Sequence, residues 1–287
     1  MFALAQMALL PDGRRLHLNH GPIDLIIEAF GDPDEVKKSY EQAMSCFPEI
    51  LPMLVSDLES LRQSYDVSWH PDGTVASRMQ DACSRFSAEF VTPMAAVAGG
   101  VADEVLGALV CGRRLEKAYV NNGGDIAFHL TEGQSLTAGL IADYHLPTID
   151  GECVLTHDMP VRGIATSGWK GRSFSLGIAD SVSVLANNAA SADVAATLIA
   201  NAVNTDHLAI ERISASEQDP DSDLGNRLVT VDVGALDQQT IDAALNAGEK
   251  AAIVAEQAGH ISAAVLVLQN TFRVVGTAPV GLISQAA

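Results

Sequence analysis

The chain has 287 residues, 48% of them hydrophobic and 18% charged, which suits a folded protein with a buried core and excludes a disordered polymer. Its formal net charge of −19 excludes the basic footprint that nucleic acid or an anionic membrane surface requires. The partner expected is therefore a small anionic molecule, bound in a locally positive pocket or through a metal ion; a homodimer stays open. Four cysteines, Cys46, Cys83, Cys111 and Cys153, are scattered without a C-x-x-C pair, so neither a zinc knuckle nor a disulfide framework is expected. No basic region precedes the short apolar run before Pro11, and no later run reads as a membrane span, so a reducing cytoplasm is the expected location.

In chain order, residues 3–9, 15–20 and 23–29 read as strands, with Pro11-Asp12-Gly13 as a turn and Gly21-Pro22 as an interruption. Asp32-Pro33 offers an N-cap and a first-turn proline for a helix over 35–47. A second helix is expected from Leu51-Pro52 to about Gln63, and a third from about Thr74 to Phe86. The glycine- and alanine-rich run from Val91 to Asp103 leads into a helix, where Gly99 and Gly100 permit a backbone or a ligand to come close. Strands over 117–121 and 126–130 are joined by Asn122-Gly123-Gly124-Asp125, a hairpin turn in the first instance. Further strands are expected at 135–145, 154–157, 161–166 and 181–186. An acidic loop at 217–223, a strand at 228–233, a helix at about 237–258 and a closing pair at 262–268 and 271–275 complete the chain. Neighbouring strands interrupted by blocks of helix indicate an α+β fold, antiparallel sheets packed against helices.

Polar chemistry collects between Gly163 and Val203. Thr166, Ser167 and Gly168 form a small-residue turn, and in the alanine-rich helix that follows, Asp193 and Thr197 lie four residues apart on one face. An early-helix Asp ordinarily complements the dipole, and a Thr further in ordinarily bonds back to the preceding turn. The same two oxygens could also hold Mg²⁺, with an anion against the free N–H groups of the helix start.

Four runs in this order, Ala-Ala-Val-Ala-Gly-Gly (95–100), Asn-Gly-Gly-Asp (122–125), Ala-Thr-Ser-Gly (165–168) and Ser-Ala-Asp-Val-Ala-Ala-Thr (191–197), resemble the ApbE superfamily. Its best-understood members are FAD:protein FMN transferases. The runs His20-Gly21-Pro22-Ile23-Asp24-Leu25 and Pro93 to Gly99 are similar to the uncharacterised ApbE-like branch, and the resemblance covers nearly the whole chain. It implies a single domain over 1–287 of duplicated T-fold-like type, or two intertwined α+β halves, with FAD in a cleft between the halves. It also implies Mg²⁺ held by Asp193, Thr197 and the carbonyl of Ala98, polarising a pyrophosphate. Gly99, Gly100, Asn122, Gly123, Gly124, Asp125, Thr166, Ser167 and Gly168 would then line FAD or FMN.

Two departures from the transferases stand out. Gly99 occupies the place of the lysine in their Gly-Gly-Ile-Ala-Lys-Gly loop, and Leu176 to Ser181 lacks their histidine and Asp-Pro. The expected function is binding of a flavin nucleotide or related phosphorylated molecule with Mg²⁺, with FMN or phosphoryl transfer as the chemistry to consider. Two alternatives remain: an enzyme of sulfur assimilation toward cysteine or homocysteine, as members of this branch are linked to, and a non-catalytic ligand-binding protein. The sulfur reading needs a reactive thiol, for which Cys153 in an expected loop is a candidate. His20, at a strand break, and Trp169, after the Ser-Gly turn, each have an ordinary packing reading beside a ligand reading.

Overall fold

A computed structural model describes residues 4–140, 151–277 and 280–282. It opens with strands β1 (Gln6–Leu9), β2 (Leu16–His20) and β3 (Ile23–Gly31), followed by helices α1 (Pro33–Ser56), α2 (Leu58–Leu61) and α3 (Thr74–Ser84). A 3₁₀ turn (Pro93–Ala96) runs into α4 (Val97–Val110), then come β4 (Leu115–Asn122), β5 (Asp125–Leu130), β6 (Ser135–Leu140), β7 (Gly151–Thr156), β8 (Gly163–Ser167) and β9 (Ser181–Ala186). Next are α5 (Ala189–Ala202), β10 (Ile210–Ser214), α6 (Ala215–Gln218), β11 (Leu228–Val233), α7 (Gln238–Gln257), β12 (Ala263–Leu268), β13 (Thr271–Gly276) and β14 (Val280–Leu282). The fold is α+β with antiparallel pairing throughout the described registers.

The chain divides into two units. The first runs to Leu136 and adds Thr156–Ile164 and Asn187–Asp193; the second takes Thr137–Leu155, Ala165–Ala186 and the chain from Val194 onward. In the first unit the strand order is β1-β2-β3-β4-β5, with Ile126 and Ala127 pairing Ile164 and Gly163 at the start of β8. β3 and β4 are neighbours although the whole helical block lies between them in sequence. Alternation sets the covered face: Leu16, Leu18 and His20 on β2 and Ile23, Leu25, Ile27 and Ala29 on β3 are buried. α1 packs on β2 and β3, and α4 packs on β4 and β5.

α1 starts where the sequence places it. Asp32 accepts hydrogen bonds from the N–H groups of Asp34 and Glu35, and Pro33 opens the helix. The helix expected over 35–47 runs on to Ser56, taking in the first part of the helix expected over 51–63 with Pro48 and Pro52 inside it, and the rest of that second helix is the separate α2. Each proline removes one backbone bond, at about 3 kcal/mol in an isolated helix. The apolar stripe Tyr40, Ala43, Phe47, Ile50, Leu51 and Leu54 runs unbroken through both and is buried, which outweighs that loss.

Among the described residues, Pro93–Val110 is long and apolar enough, by length and composition alone, to cross a membrane, which the sequence reading missed. Gly99, Gly100, Val101, Ala102, Val105 and Leu109 within it are buried, so core packing accounts for its hydropathy.

In the second unit β8-β9-β12-β13 are consecutive neighbours, with every residue of β9 buried. α7 packs on β12 and β13, and β10 pairs β11. β10 was not expected from the sequence, and α6 turns the first part of the acidic 217–223 stretch into a helical turn. The strand expected over 135–145 is β6 as far as Leu140; the rest of that range, with His145, lies outside the described residues.

Candidate functional site

In the first unit the starts of α4 and α5 meet and cap one another. The N–H of Gly99 on α4 donates to Oδ2 of Asp193 on α5 at 3.0 Å. In return the N–H groups of Ala189 and Ala190 on α5 donate to the two carboxylate oxygens of Asp103 on α4, at 3.0 and 2.9 Å. Each carboxylate supplies the negative charge that a helix N-terminus favours. Backbones approach this closely because Gly99 has no side chain: a Cβ there would stand 2.3 Å from the carbonyl oxygen of Ala189. Gly163 does the same on the sheet side, where a Cβ would stand 2.1 Å from the carbonyl carbon of Asn188.

The other first-turn donors of α5 are also taken. Ser191 N–H donates to the Asn188 side chain at 2.7 Å, and Ala192 N–H donates to the Asn188 carbonyl at 3.2 Å. The N–H groups of this helix start, which the sequence reading left free for an anion, are therefore already satisfied, two of them by Asp103.

The Asn-Gly-Gly-Asp joint is the hairpin it was expected to be. Asn122 and Asp125 are the closing pair around Gly123 (φ +66) and Gly124 (φ +118), positive angles that a two-residue turn of the primed type demands. The Asn121 side-chain oxygen accepts the Gly124 N–H at 2.9 Å and fixes the turn. Asn122 is buried, and its amide donates to the carbonyl of Ala98 at 3.1 Å. Residues directly opposite on paired strands share a face, so Asp125 stands on the same side of the sheet as that contact.

The electrostatics are strongly negative. Burial pushes the Asp193 carboxyl well above the ordinary carboxylate range, the charge of Asp125 pushes it further, and the N–H groups of Gly99 and Ala98 work against both. Burial likewise raises the Asp103 carboxyl against the lowering effect of its two backbone donors.

Of the residues singled out from sequence, Ala98, Gly99, Gly100, Asn122, Gly123, Gly124, Asp125 and Asp193 belong to the first unit, while Thr166, Ser167, Gly168 and Thr197 belong to the second. Thr197 is half-buried, one turn after Asp193 on α5. Thr166 Oγ1 lies 2.8 Å from Ser183 Oγ, and Gly168 packs so closely that a Cβ would stand 2.4 Å from the carbonyl oxygen of Asp180. Trp169 donates its indole N–H to Asp180 at 3.1 Å, and Lys170 lies 3.2 Å from the same carboxylate. Asp180 also accepts the Gln269 N–H at 2.7 Å, which gives Trp169 a structural anchor.

His20 is buried edge-on to Phe47, and its Nδ1 has no hydrogen-bond partner among the described residues. Cys153, expected in a loop, is buried in β7, where alternation turns its side chain inward. Cys83 is buried too, and burial with the charge of Asp193 pushes its thiol up to about 12. Cys111 is exposed just past α4.

Asp103 is the residue that sequence reasoning missed. A signal was present: Gly99-Gly100-Val101-Ala102-Asp103 and Ala189-Ala190-Ser191-Ala192-Asp193 repeat two small residues, a spacer, alanine and aspartate. Each aspartate stands four residues after the N–H that the other one caps. Among the described residues no group of three or more His, Cys, Asp or Glu side chains forms a metal cage by itself.

A family model described as AbpE bacteria matches residues 7–274. The UPF0280 protein of Methanothermobacter thermautotrophicus is 40% identical over 134 residues, covering 46% of this chain and 50% of that protein. The UPF0280 protein of Methanothrix thermoacetophila is 34% identical over 165 residues, covering 54% and 63%. The chain thus spans between 50% and 63% of the length of these curated relatives. Among solved structures, the ApbE protein from Thermotoga maritima aligns with TM-score 0.46 and 12% identity over 72% of this chain and 88% of that one. A mutant of the flavin transferase ApbE from Vibrio cholerae aligns with TM-score 0.48 and 12% identity over 95% and 96%.

Proposed function

Because the chain belongs to the AbpE bacteria family, we propose that it binds a flavin nucleotide, FAD or FMN, or a related phosphorylated small molecule, together with Mg²⁺. The observation that carries this reading is the meeting of the Asp193 carboxylate with the Ala98–Gly99 backbone. The donors offered there, a carboxylate and a peptide carbonyl, with the Thr197 hydroxyl one turn further along α5, are the hard oxygens that Mg²⁺ takes. The raised carboxyl of Asp193, under the negative charge of Asp125 and Asp103, marks a place where a cation is favoured.

When bound, the ion would offset phosphate charge and act as a Lewis acid. The rest falls to the chain's own groups. Asp193 holds its oxygens against the start of α4, and Asn122 orients the Ala98 carbonyl through its amide. Gly123 and Gly124 are exposed and carry no side chain that would obstruct a ligand. Gly99 has a sharper consequence. Its packing against Ala189 leaves no room for a side chain, so the lysine of the transferase loop is excluded by backbone contact. Neutralising the anion then falls to the metal, and ligand binding should depend strictly on it.

Isothermal titration of the full chain with FAD and with FMN, each with and without Mg²⁺, tests this. Heat in the presence of Mg²⁺ only, and its loss in Asp193→Asn, is expected; Asn keeps an acceptor for the Gly99 N–H, so the fold is retained. The absence of heat with either nucleotide in the presence of Mg²⁺ would end the flavin reading. Transfer of FMN to a protein threonine is then assayed separately on the ligand-bound protein.

A further inference from the structure

We infer that Asp125 is a further oxygen ligand of the cation proposed above, delivered by the Asn121–Asp125 hairpin so that carboxylates from two elements flank the Ala98 carbonyl. This deepens the proposed function and rests on it.

The argument is one of register. Asn122 and Asp125 are directly opposed across the turn, so their Cβ atoms lie about 5 Å apart on one face of the sheet. Asn122 reaches down from that face to the Ala98 carbonyl at 3.1 Å. The next residue along α4, Gly99, is bonded to Asp193. Asp125, Asn122, Ala98 and Asp193 therefore form a continuous row drawn from β5, β4, the start of α4 and α5.

The turn is built to hold that placement. Two glycines at positive φ and the Asn121 side-chain bond define one loop geometry, which holds the backbone of Asp125 in register opposite Asn122. A Cβ at Gly124 would meet nothing within 4 Å, which leaves open space beside the pair. Asn122 takes a different part: it does not ligate, but its amide fixes the direction of the Ala98 carbonyl, which makes it a positioning residue.

Mn²⁺ alone, titrated into the full chain and followed by electron paramagnetic resonance, tests the assignment without any nucleotide. Wild type should bind the ion, Asp193→Asn should lose it, and Asp125→Asn should bind about 10- to 100-fold more weakly. A ligand differs from a distant charge in its response to salt. The Asp125→Asn deficit should persist at roughly 0.5 M salt, where exposed charges are screened within about 4 to 5 Å. Asp125→Ser, which also removes the carboxylate, should show the same deficit, and circular dichroism melts of each variant confirm that it is folded.

If Asp125→Asn binds Mn²⁺ as wild type does, or if its deficit vanishes in high salt, the inference is overturned while the Asp193 result leaves the proposed site standing. If wild type fails to bind Mn²⁺, the proposed site itself falls.

Discussion

Replacing Asp103 by alanine is the sharpest test of the interlocked helix starts. The substitution strips the acceptor from two N–H groups, Ala189 and Ala190, both in buried residues. An orphaned buried donor costs about 1–3 kcal/mol, and the lost charge at the helix terminus adds about 0.3–1 kcal/mol. Relief of the carboxylate's own burial, visible in its raised pKa, offsets part of this. A net loss of about 2–4 kcal/mol follows, or about 3–7 °C in melting temperature for a chain of this size. Asp103→Asn keeps one acceptor and should lose about half as much.

The pH dependence has a definite sign. Burial holds the folded-state pKa of Asp103 above the ordinary carboxylate range, so the folded state holds the proton more tightly than the unfolded chain. The stabilisation linked to that proton is fully present below the unfolded pKa and is lost as pH rises through the folded value. The gap between wild type and Asp103→Ala should therefore be widest near pH 4 and should narrow as pH rises. Urea unfolding of both proteins across this range measures it. A loss under about 1 kcal/mol, or a gap that widens with pH, would refute the reciprocal-cap argument.

Gly99→Ala should destabilise by at least about 3 kcal/mol, because its Cβ meets backbone atoms of Ala189 and Ala190 between 2.3 and 2.7 Å that no side-chain rotation can clear. An unchanged denaturation midpoint would show that the helix starts are further apart than described. Thiol labelling of native protein should modify Cys111 readily and leave Cys83 and Cys153 protected until unfolding. Rapid labelling of Cys153 would reopen the sulfur-assimilation reading. Trp169→Phe keeps an aromatic ring and removes the bond to Asp180, at about 1 kcal/mol; quenching of tryptophan emission by FAD that is lost in Trp169→Phe would instead argue for a ligand contact.

Much of the fold was legible because local signals and buried patterns agreed. The cap at Asp32-Pro33, the strands at 15–20 and 23–29 and the glycine pair at 123–124 each read correctly from sequence. Pro48 and Pro52 misled because local punctuation suggested a break, whereas the apolar stripe of α1 continues through both and tertiary burial prevails. Cys153 misled because its strand is short and lies beside Gly151, a composition shared by loops and strand ends. The small residues of the candidate site were visible, but their reason was not. Gly99 was open to the approach of a backbone or a ligand, and what approaches is the backbone of Ala189, ninety residues away in sequence. Close contacts of that range leave no periodicity behind, so only the paired five-residue pattern around Asp103 and Asp193 could have revealed them.

The exchange of aspartates between α4 and α5 has a kinetic consequence. Neither helix can complete its first turn until the other has arrived, so the amides of Gly99, Ala189 and Ala190 should gain protection simultaneously during refolding and late, after the local hairpins. In native-state hydrogen exchange, those three amides should open with the free energy of the whole first unit instead of fraying as helix termini do.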